Sequence, residues 1–501
     1  MANLLRQLGR NIFTSWASLG IRALIVFLVN PFIIHTLGND RYGVWVLAVS
    51  IINYLTVLDL GLRQGLIRYV SKFLGLREYD RLNAVLNSAF LIYSGIGLVV
   101  VAITVVLSLV ALPFFNISPE HIDQARVVLI IVGLATAINF VLSAWGNSHG
   151  AFHRYDIANG LSIGEDILRT VAIIVLLKNG YGLIPFAGAY LGFSLIRLVA
   201  GSRILFRLFP PVSWRPGLAD REAVRLLKNY GLISFLISVA WLLIANTDNV
   251  IIGYFLDTAA VTQYAIAAGF IVYLRAFIQA VGFPLRPVLS HYEAAGKRDS
   301  IIHIYTRLSG YLYFVTFAVA GATLIYADRL IYLWLGEGFA ESARVLRILI
   351  VPAALFLPQA VANSVMFAVE RHKLLLYLFA LEGVANVALS LFLVRRYGLV
   401  GVAWGTAVAQ IFIYLIILPF VIRLLLGIKR YRFYYRLFYS AVPAFGLAFG
   451  FSYLVMSFLP PENWGFFFGE IMLVGVVVAV SGYFVFGGEE LRSDWKKIRS
   501  G

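Results

Sequence analysis

The chain has 501 residues, of which 61% are hydrophobic and only 13% are charged, and its net charge is +16. Soluble domains usually carry about 25% charged residues, and a soluble core cannot absorb so large an apolar excess. Lipid is therefore the solvent that this composition indicates. The basic residues recur in short groups between apolar runs, which is typical of a multi-pass membrane protein and argues against nucleic acid as a partner. The absence of cysteine excludes disulfides and thiolate metal sites.

Membrane-spanning helices can be counted from the apolar runs, because a helix of about 20 apolar residues crosses the hydrocarbon core. The sequence predicts fourteen spans, at residues 12–35, 42–67, 84–112, 126–148, 157–178, 182–204, 230–254, 261–287, 305–327, 344–368, 374–395, 399–422, 437–459 and 466–486. Alternate connections that include the N-terminus hold 28 Lys and Arg residues, and the other set holds 6. Because basic residues accumulate in cytoplasmic loops, we expect both termini in the cytoplasm. The predicted fold class is an all-α polytopic membrane protein.

Two arginines lie deep inside predicted spans. Arg22 is about ten residues into span 1 and Arg275 about fourteen residues into span 8, and neither has a carboxylate three or four residues away. A charge at the bilayer centre costs about 2.5–3.5 kcal/mol on insertion scales, so a mid-span ionisable group is a functional candidate. Both arginines are predicted substrate-binding residues. The alternative is an ion pair with a carboxylate on another helix, such as Asp248 or Glu382.

Span 2 ends in VLDLGLRQGLIRYV, which places charges and glycines close together. Asp59 and Arg63 are four residues apart, a spacing that predicts an ion pair on one helix face. Gly61 and Gly65 form a GxxxG pattern that lets a neighbouring backbone approach. Because this segment lies towards the predicted cytoplasmic end of the span, we expect Asp59, Gly61 and Gly65 to form an inner gate or hinge.

Spans 5 and 6 carry charges that local spacing explains. Arg169 follows Glu165 by four residues and Asp166 by three, so one helix face can neutralise itself and a structural role is favoured. Arg197 lies nearer the predicted cytoplasmic face, where we expect its long side chain to snorkel.

Polar residues also occur in spans 7 and 11. Four consecutive polar residues run from Asn246 to Asn249, so at least one must face protein or a wet cavity rather than lipid. We expect Asn246 and Asp248 to line a cavity or an outer gate and to bind substrate there. Glu382 has no cation on its own helix, and two interpretations stay open: a protonatable coupling site, or a buried structural acid.

An internal repeat relates the two halves of the chain. Tyr181-Gly182-Leu183 recurs as Tyr397-Gly398-Leu399 at a shift of 216 positions, and the same shift places Asp166 on Glu382. An even number of spans separates the repeats, which predicts parallel six-helix lobes with a site between them near the midplane. The predicted domains are an N-terminal lobe at 1–215, a second lobe at 216–430, and two further helices with a cytoplasmic tail at 431–501.

Three stretches carry a family resemblance: LGNDRYGVWVLAVSIINYLTVLDLGLRQGLIRYVSKFLG, NTDNVIIGYFLDTAAVTQYAIA and YGLVGVAWGTAVAQ. They resemble the polysaccharide biosynthesis exporters, the O-antigen (lipid-linked oligosaccharide) flippase branch of the multidrug/oligosaccharidyl-lipid/polysaccharide exporter superfamily. The resemblance implies a V-shaped pair of six-helix lobes, a central cavity lined by spans 1, 2, 7 and 8, and alternating access in the bacterial inner membrane.

The same resemblance implies a cargo and its partners. The cargo is an oligosaccharide on polyprenyl pyrophosphate, moved to the outer leaflet for lipopolysaccharide or another surface polysaccharide. Membrane lipids, a polysaccharide polymerase and glycosyltransferases are the implied partners. Arg22 and Arg275 suit a pyrophosphate because the guanidinium fork matches phosphate oxygens, and Arg63 is a candidate to meet it at the cavity mouth.

Two other functions are alternatives to this interpretation. A cation-coupled multidrug antiporter of the same superfamily favours an acidic or apolar cavity, which the mid-span arginines oppose. A multi-span glycosyltransferase or ligase needs a carboxylate base or a metal at the outer face, usually with long external loops that are not predicted here. We therefore predict a transporter rather than an enzyme, with no metal and no cofactor. No P-loop occurs, so coupling to H+ or Na+ and downstream consumption of the product both stay open.

Overall fold

The computed structural model describes residues 2–145, 152, 154–228, 232–282, 285–371, 373–428 and 430–487, and the described residues form helices without any strand. The chain divides into two compact units, Met1–Thr262 and Gln263–Gly501. The helices of the first unit are α1 (Ala2–Leu37), α2 (Asn39–Asn53), α3 (Leu62–Leu76), α4 (Tyr79–Val110), α5 (Ile122–Ala144), α6 (Tyr155–Lys178), α7 (Leu183–Leu208), α8 (Arg221–Lys228) and α9 (Leu232–Phe255). A 3-10 turn at Tyr54–Asp59 follows α2.

Helix α10 (Thr258–Gly282) begins in the first unit and continues into the second. The remaining helices are α11 (Leu285–Ala294), α12 (Arg298–Leu335), α13 (Ala340–Phe356), α14 (Ala360–Ala368), α15 (Lys373–Ile411), α16 (Leu418–Leu426), α17 (Arg430–Phe458) and α18 (Trp464–Val485). A π-helical turn at Phe412–Ile417 joins α15 to α16.

Twelve of the described helical segments are long and apolar enough to cross a membrane, which confirms the polytopic all-α class. One of them, Lys373–Leu426, has 54 residues. One continuous helix of that many residues would be about 80 Å long at 1.5 Å per residue, far more than the roughly 30 Å of hydrocarbon. Gly398 has non-helical dihedral angles inside it, so this segment holds two helices and accounts for two of the predicted spans.

Helix α6 is the other difference from the predicted span count. It has 24 residues and the length to span a bilayer, but it is not among the twelve apolar segments. Its mid-helix charges, Glu165, Asp166 and Arg169, lower its hydropathy. A helix that keeps three charges at membrane depth must neutralise them against protein.

The predicted lobes and the observed units divide the chain at different places. Along the chain, the boundary between the units falls between Thr262 and Gln263, whereas the sequence repeat predicts a division at 215. The repeat and its six-helix lobes stay a prediction. The cytoplasmic tail predicted at the end of the chain lies mostly outside the described residues.

Small residues bring the helices of the first unit close together. A Cβ atom added to Gly133 of α5 would lie 2.4 Å from the Thr104 hydroxyl oxygen of α4, and one added to Gly97 would lie 3.2 Å from the Ala137 carbonyl oxygen. In lipid, helices associate through such close packing rather than through burial of apolar area. Tyr93 of α4 is fully buried at the centre of this packing.

The second unit is built around the long helix α12. Its tyrosines Tyr305, Tyr313 and Tyr326 are among the largest fully buried side chains. Gly321 lets α17 approach, because a Cβ there would lie 2.8 Å from the Phe445 carbonyl oxygen. Helix α12 therefore serves as the scaffold on which the other helices of this unit pack.

Candidate functional site

Charged side chains from three helices of the first unit meet in one cluster. Helix α6 contributes Glu165, Asp166 and Arg169 from consecutive turns, as their spacing predicts. Helix α1 contributes Arg22 and helix α7 contributes Arg197. We call these five residues the arginine cluster. They link segments of the chain that are up to 144 residues apart.

The carboxylates of the cluster each bridge two arginines. Arg169 donates to Glu165 over 2.9 Å and to Asp166 over 2.5 Å, which confirms the predicted pairing within α6. Arg22 donates from Nε to Asp166 over 2.7 Å and from a terminal nitrogen to the Ser162 hydroxyl. Arg197 donates to Glu165 over 3.0 Å, so the expectation that it only snorkels is wrong.

The five residues of the cluster have a net formal charge of +1, because three arginines share two carboxylates. Counted from the ends of their helices at Leu37 and Lys178, Arg22 and Asp166 lie about 22 Å and about 18 Å deep. The side chain of Arg22 is nevertheless 46% exposed, whereas that of Asp166 is 14% exposed. A half-exposed arginine side chain at this depth cannot face acyl chains without a large cost, so we infer that it faces an aqueous space.

Aromatic rings support the cluster from one side. The Arg169 guanidinium lies 4.6 Å from the centre of the Tyr190 ring, a cation–π contact. Tyr190 packs in turn against Trp45 of α2 with ring centres 4.5 Å apart. These rings hold Arg169 in place and leave Arg22 as the accessible member of the cluster.

The segment after α2 breaks where a continuous helix was expected. Leu60 and Gly61 both adopt left-handed backbone angles, with φ of 50° and 74°. The break separates Asp59 from the helix that carries Arg63, and no salt bridge joins the two among the described residues, so the predicted ion pair within one helix is wrong. Among the described contacts, the Asp59 carboxylate instead accepts a hydrogen bond from the Tyr93 hydroxyl over 2.7 Å.

The two glycines of the GxxxG pattern have different roles. Gly61 provides the left-handed turn that begins α3. Gly65 faces α8, where an added Cβ would lie 3.4 Å from the Leu227 carbonyl oxygen. The pattern therefore predicted close packing correctly at Gly65. The gate or hinge role of Asp59, Gly61 and Gly65 stays a prediction.

The polar run of α9 packs against α2 and the 3-10 turn that follows it. Asn249 donates to the Ser50 hydroxyl over 3.0 Å, and Asn246 accepts from Asn53 over 3.1 Å. The Thr247 hydroxyl shares a hydrogen bond with Tyr54. These three polar side chains thus face protein, as expected.

Asn246 and Asp248, predicted to bind substrate, are both at least nine-tenths buried. Asn246 holds helices together here through its bond to Asn53. Near the other end of α2, Thr258 donates to Asp40 over 3.0 Å, and Gly43 packs directly against the Thr258 backbone. A continuous row of contacts therefore joins α2 to α9 and to the start of α10.

A second polar centre lies in the other unit. Glu382 is 2% exposed and accepts hydrogen bonds from Tyr414 over 2.7 Å and from Gln410 over 3.2 Å. Arg275 interacts electrostatically with Glu382 and Tyr414, and its guanidinium lies 4.5 Å from the Phe356 ring centre. The structure thus brings together Arg275 and Glu382, as the alternative ion-pair interpretation of Arg275 had it.

The residues missed at the sequence level are those that join separate helices. Gln410 and Tyr414 are four residues apart, on one face of a helix, and this was the one signal for them. Tyr414 lies in the π-helical turn, a distortion that is frequent at functional sites. No group of three or more His, Asp or Glu side chains suited to a metal ion occurs in the part of the chain that the structure describes.

Known proteins resemble this chain in sequence and in fold. An uncharacterized membrane protein, EpsK of Bacillus subtilis (strain 168), is 23% identical over 434 residues, covering 83% of this chain and 84% of the relative. The lipid II flippase MurJ in an inward closed conformation matches with a TM-score of 0.66 at 13% identity, over 92% of this chain and 99% of that one.

A multidrug resistance MATE family transporter of the MOP superfamily, in an inward-facing conformation, matches with a TM-score of 0.58 at 16% identity, over 80% of this chain and 98% of that one. These two likenesses show a shared transporter fold. Residues 8–293, more than half of the chain, match the family described as polysaccharide biosynthesis protein. The chain therefore belongs to the polysaccharide biosynthesis protein family.

Proposed function

We propose that this protein is a flippase that moves polyprenyl-pyrophosphate-linked oligosaccharide from the cytoplasmic to the outer leaflet for surface polysaccharide synthesis, by alternating access. The observation that carries the proposal is the half-exposed side chain of Arg22, which lies at membrane depth in a cluster with a net formal charge of +1. Such a site attracts an anion into the membrane and repels a cation.

A pyrophosphate is the anion that suits this position best. The planar guanidinium offers paired N–H donors to phosphate oxygens and stays charged when it is desolvated. Asp166 accepts from Nε of Arg22 and Ser162 accepts from one terminal nitrogen, so the other terminal nitrogen is left to donate to a ligand. Arg275 and Arg63 are proposed as further substrate contacts, and Glu382 and Asp166 as acids that could couple transport to H+ or Na+.

The comparisons support a transporter in polysaccharide biosynthesis. The family is named for polysaccharide biosynthesis, and the MurJ structure is that of a lipid II flippase. A MATE-like multidrug antiporter shares the fold, but a surplus positive charge at depth disfavours cationic drugs. The proposal also places the protein in a bacterial inner membrane with both termini cytoplasmic, beside a polymerase and the glycosyltransferases that build the cargo.

Replacement of Arg22 in the producing cell tests the proposal. We expect deletion of the gene to abolish the surface glycan, and Arg22→Ala to reproduce that loss while the protein reaches the membrane in normal amount. Lipid-linked glycan should then accumulate where periodate added outside the cell does not reach it. Arg344→Ala removes an exposed arginine, 64% accessible, and serves as the matched control.

Three results would count against the proposal or part of it. A deletion strain with a normal surface glycan would remove the function itself. Normal export by Arg22→Ala would leave the function in place and remove Arg22 from the substrate site. Glycosyl transfer by the purified protein would show an enzyme instead.

A further inference from the structure

A cavity of about 410 Å³ opens in the first unit beside the helix break after α2. Its walls are the break and the first turn of α3, one face of α5 and one face of α9. Its volume falls within the range of about 300–1,000 Å³ that is usual for small-ligand sites. The arginine cluster does not contribute to this wall.

Helical spacing explains why these side chains converge. Thr136, Asn139 and Ser143 recur at intervals of three and four residues on α5, so they share one face. Ser238 and Trp241 are three residues apart on α9 and also share a face. The cavity therefore has hydroxyl and amide groups on one wall and an indole ring on another.

This lining has the chemistry of a carbohydrate site. Sugar hydroxyls both donate and accept hydrogen bonds, and so do the side chains of Thr, Ser and Asn. The flat indole of Trp241 is large and rigid, and it can pack against the apolar C–H face of a pyranose ring. An apolar drug would leave the polar wall without partners, which costs binding free energy.

The charges at the cavity favour oxygen-rich ligands over cations. Arg63 lines it and is exposed, so its guanidinium can donate to ligand oxygens. The one carboxylate of the described lining, Asp59, already accepts the Tyr93 hydroxyl. The formal charges of Asp59 and Arg63 offset each other, so the described lining offers no net negative charge to attract a cation.

We propose that this cavity is a glycan-binding subsite in which a pyranose ring stacks on Trp241, its hydroxyls bond to Asn139 and its neighbours on α5, and Arg63 donates to glycan oxygens. This inference rests on the proposed function, and it deepens it by separating recognition of the sugar from recognition of the pyrophosphate at Arg22. The subsite makes the transporter selective for lipids that carry a sugar.

Binding of two probes to the full-length protein in lipid nanodiscs tests the subsite. The probes are polyprenyl pyrophosphate and the same lipid with one N-acetylglucosamine. We expect the wild type to bind the sugar-bearing lipid about tenfold more tightly, the size of effect that one buried aromatic contact provides. Trp241→Ala and Asn139→Ala should each remove most of this difference and leave the affinity for the sugar-free lipid unchanged. Trp241→Phe should retain part of it.

Controls separate this inference from the function on which it rests. Trp404→Ala removes an indole that is 48% exposed on α15 and should change neither affinity. Arg22→Ala should weaken both probes alike. Equal affinity of the wild type for both lipids, or a sugar preference that survives in both Trp241→Ala and Asn139→Ala, overturns the subsite alone. Failure of the wild type to bind either lipid overturns the proposed function as well.

Discussion

Arg22 on α1 donates from Nε to Oδ2 of Asp166 on α6 over 2.7 Å, across 144 positions of sequence. Asp166 also accepts from Arg169, and Arg169 reaches Glu165, so the charges form a chain rather than separate pairs. Charges that share a partner are coupled energetically. The cluster can therefore hold an arginine at membrane depth and still present it to an anion.

The two carboxylates of the cluster should depend on each other. We expect Asp166→Asn and Glu165→Gln each to lower the free energy of unfolding by about 2 kcal/mol, because each leaves charged donors with a weaker acceptor. The double variant should deviate from the sum by at least about 0.5 kcal/mol, because both residues bond to Arg169. Unfolding in mixed detergent micelles measures all three. Glu341→Gln, in an exposed pair, is the control, with a change below about 0.5 kcal/mol. Strict additivity would contradict the network.

Gly43 is the position on α2 that should tolerate a side chain least. A Cβ there would lie 1.8 Å from the Thr258 carbonyl oxygen. We expect Gly43→Ala to separate α2 from the start of α10 and to destabilise the protein by more than about 2 kcal/mol. Gly75→Ala is the matched control, because nothing lies within 4 Å of its added Cβ and alanine favours the helix. A Gly43→Ala protein with an unchanged thermal midpoint would show that α2 and α10 do not pack this closely.

The helix break after α2 predicts that two substitutions change stability in opposite directions. Gly61→Ala should cost about 1 kcal/mol, because a residue with a Cβ is strained at φ 74°. Leu60→Gly should relieve similar strain at φ 50°, and it loses little packing because Leu60 is 49% exposed. Thermal midpoints of the purified variants check both. If the two variants shift the midpoint in the same direction, the left-handed turn is not present in the protein.

Two substitutions of Glu382 distinguish a structural role of this residue from a role in ion coupling. Glu382→Ala should destabilise the second unit by about 3 kcal/mol, because it leaves the buried donors of Tyr414 and Gln410 without their acceptor. Glu382→Gln keeps an acceptor of the same shape and should preserve the fold. If Glu382 couples transport to an ion, Glu382→Gln loses export at a normal thermal midpoint. Normal export by that variant would make Glu382 a structural acid only.

An introduced disulfide can test the contacts between α2 and α9. The chain contains no cysteine that would compete with the introduced pair. The Ser50 and Asn249 side chains are 3.0 Å apart at their polar atoms. We expect the pair Ser50→Cys and Asn249→Cys to form a disulfide on mild oxidation, to stop glycan export, and to recover export on reduction. Each single cysteine variant is the control. Full export by the oxidised protein would show that transport does not require these helices to separate.

Much of the candidate site follows from local sequence. Helical spacing alone predicted the bonds of Arg169 to Glu165 and Asp166, because residues three and four apart always meet on a helix. The cost of charge in lipid singled out Arg22, Arg275 and Glu382. Local spacing failed at Asp59 and Arg63, because it assumes a continuous helix and the chain turns at Leu60 and Gly61.

The sequence by itself determined the solvent, the helical class and the family, because each depends on composition, on apolar run length or on short motifs. Only the tertiary structure decided which charges meet. The bonds from Arg22 to Asp166 and from Arg197 to Glu165, and the cavity between α3, α5 and α9, join separate helices. Their formation depends on the rotation and depth of each helix against its neighbours, which side-chain packing sets and sequence spacing does not encode.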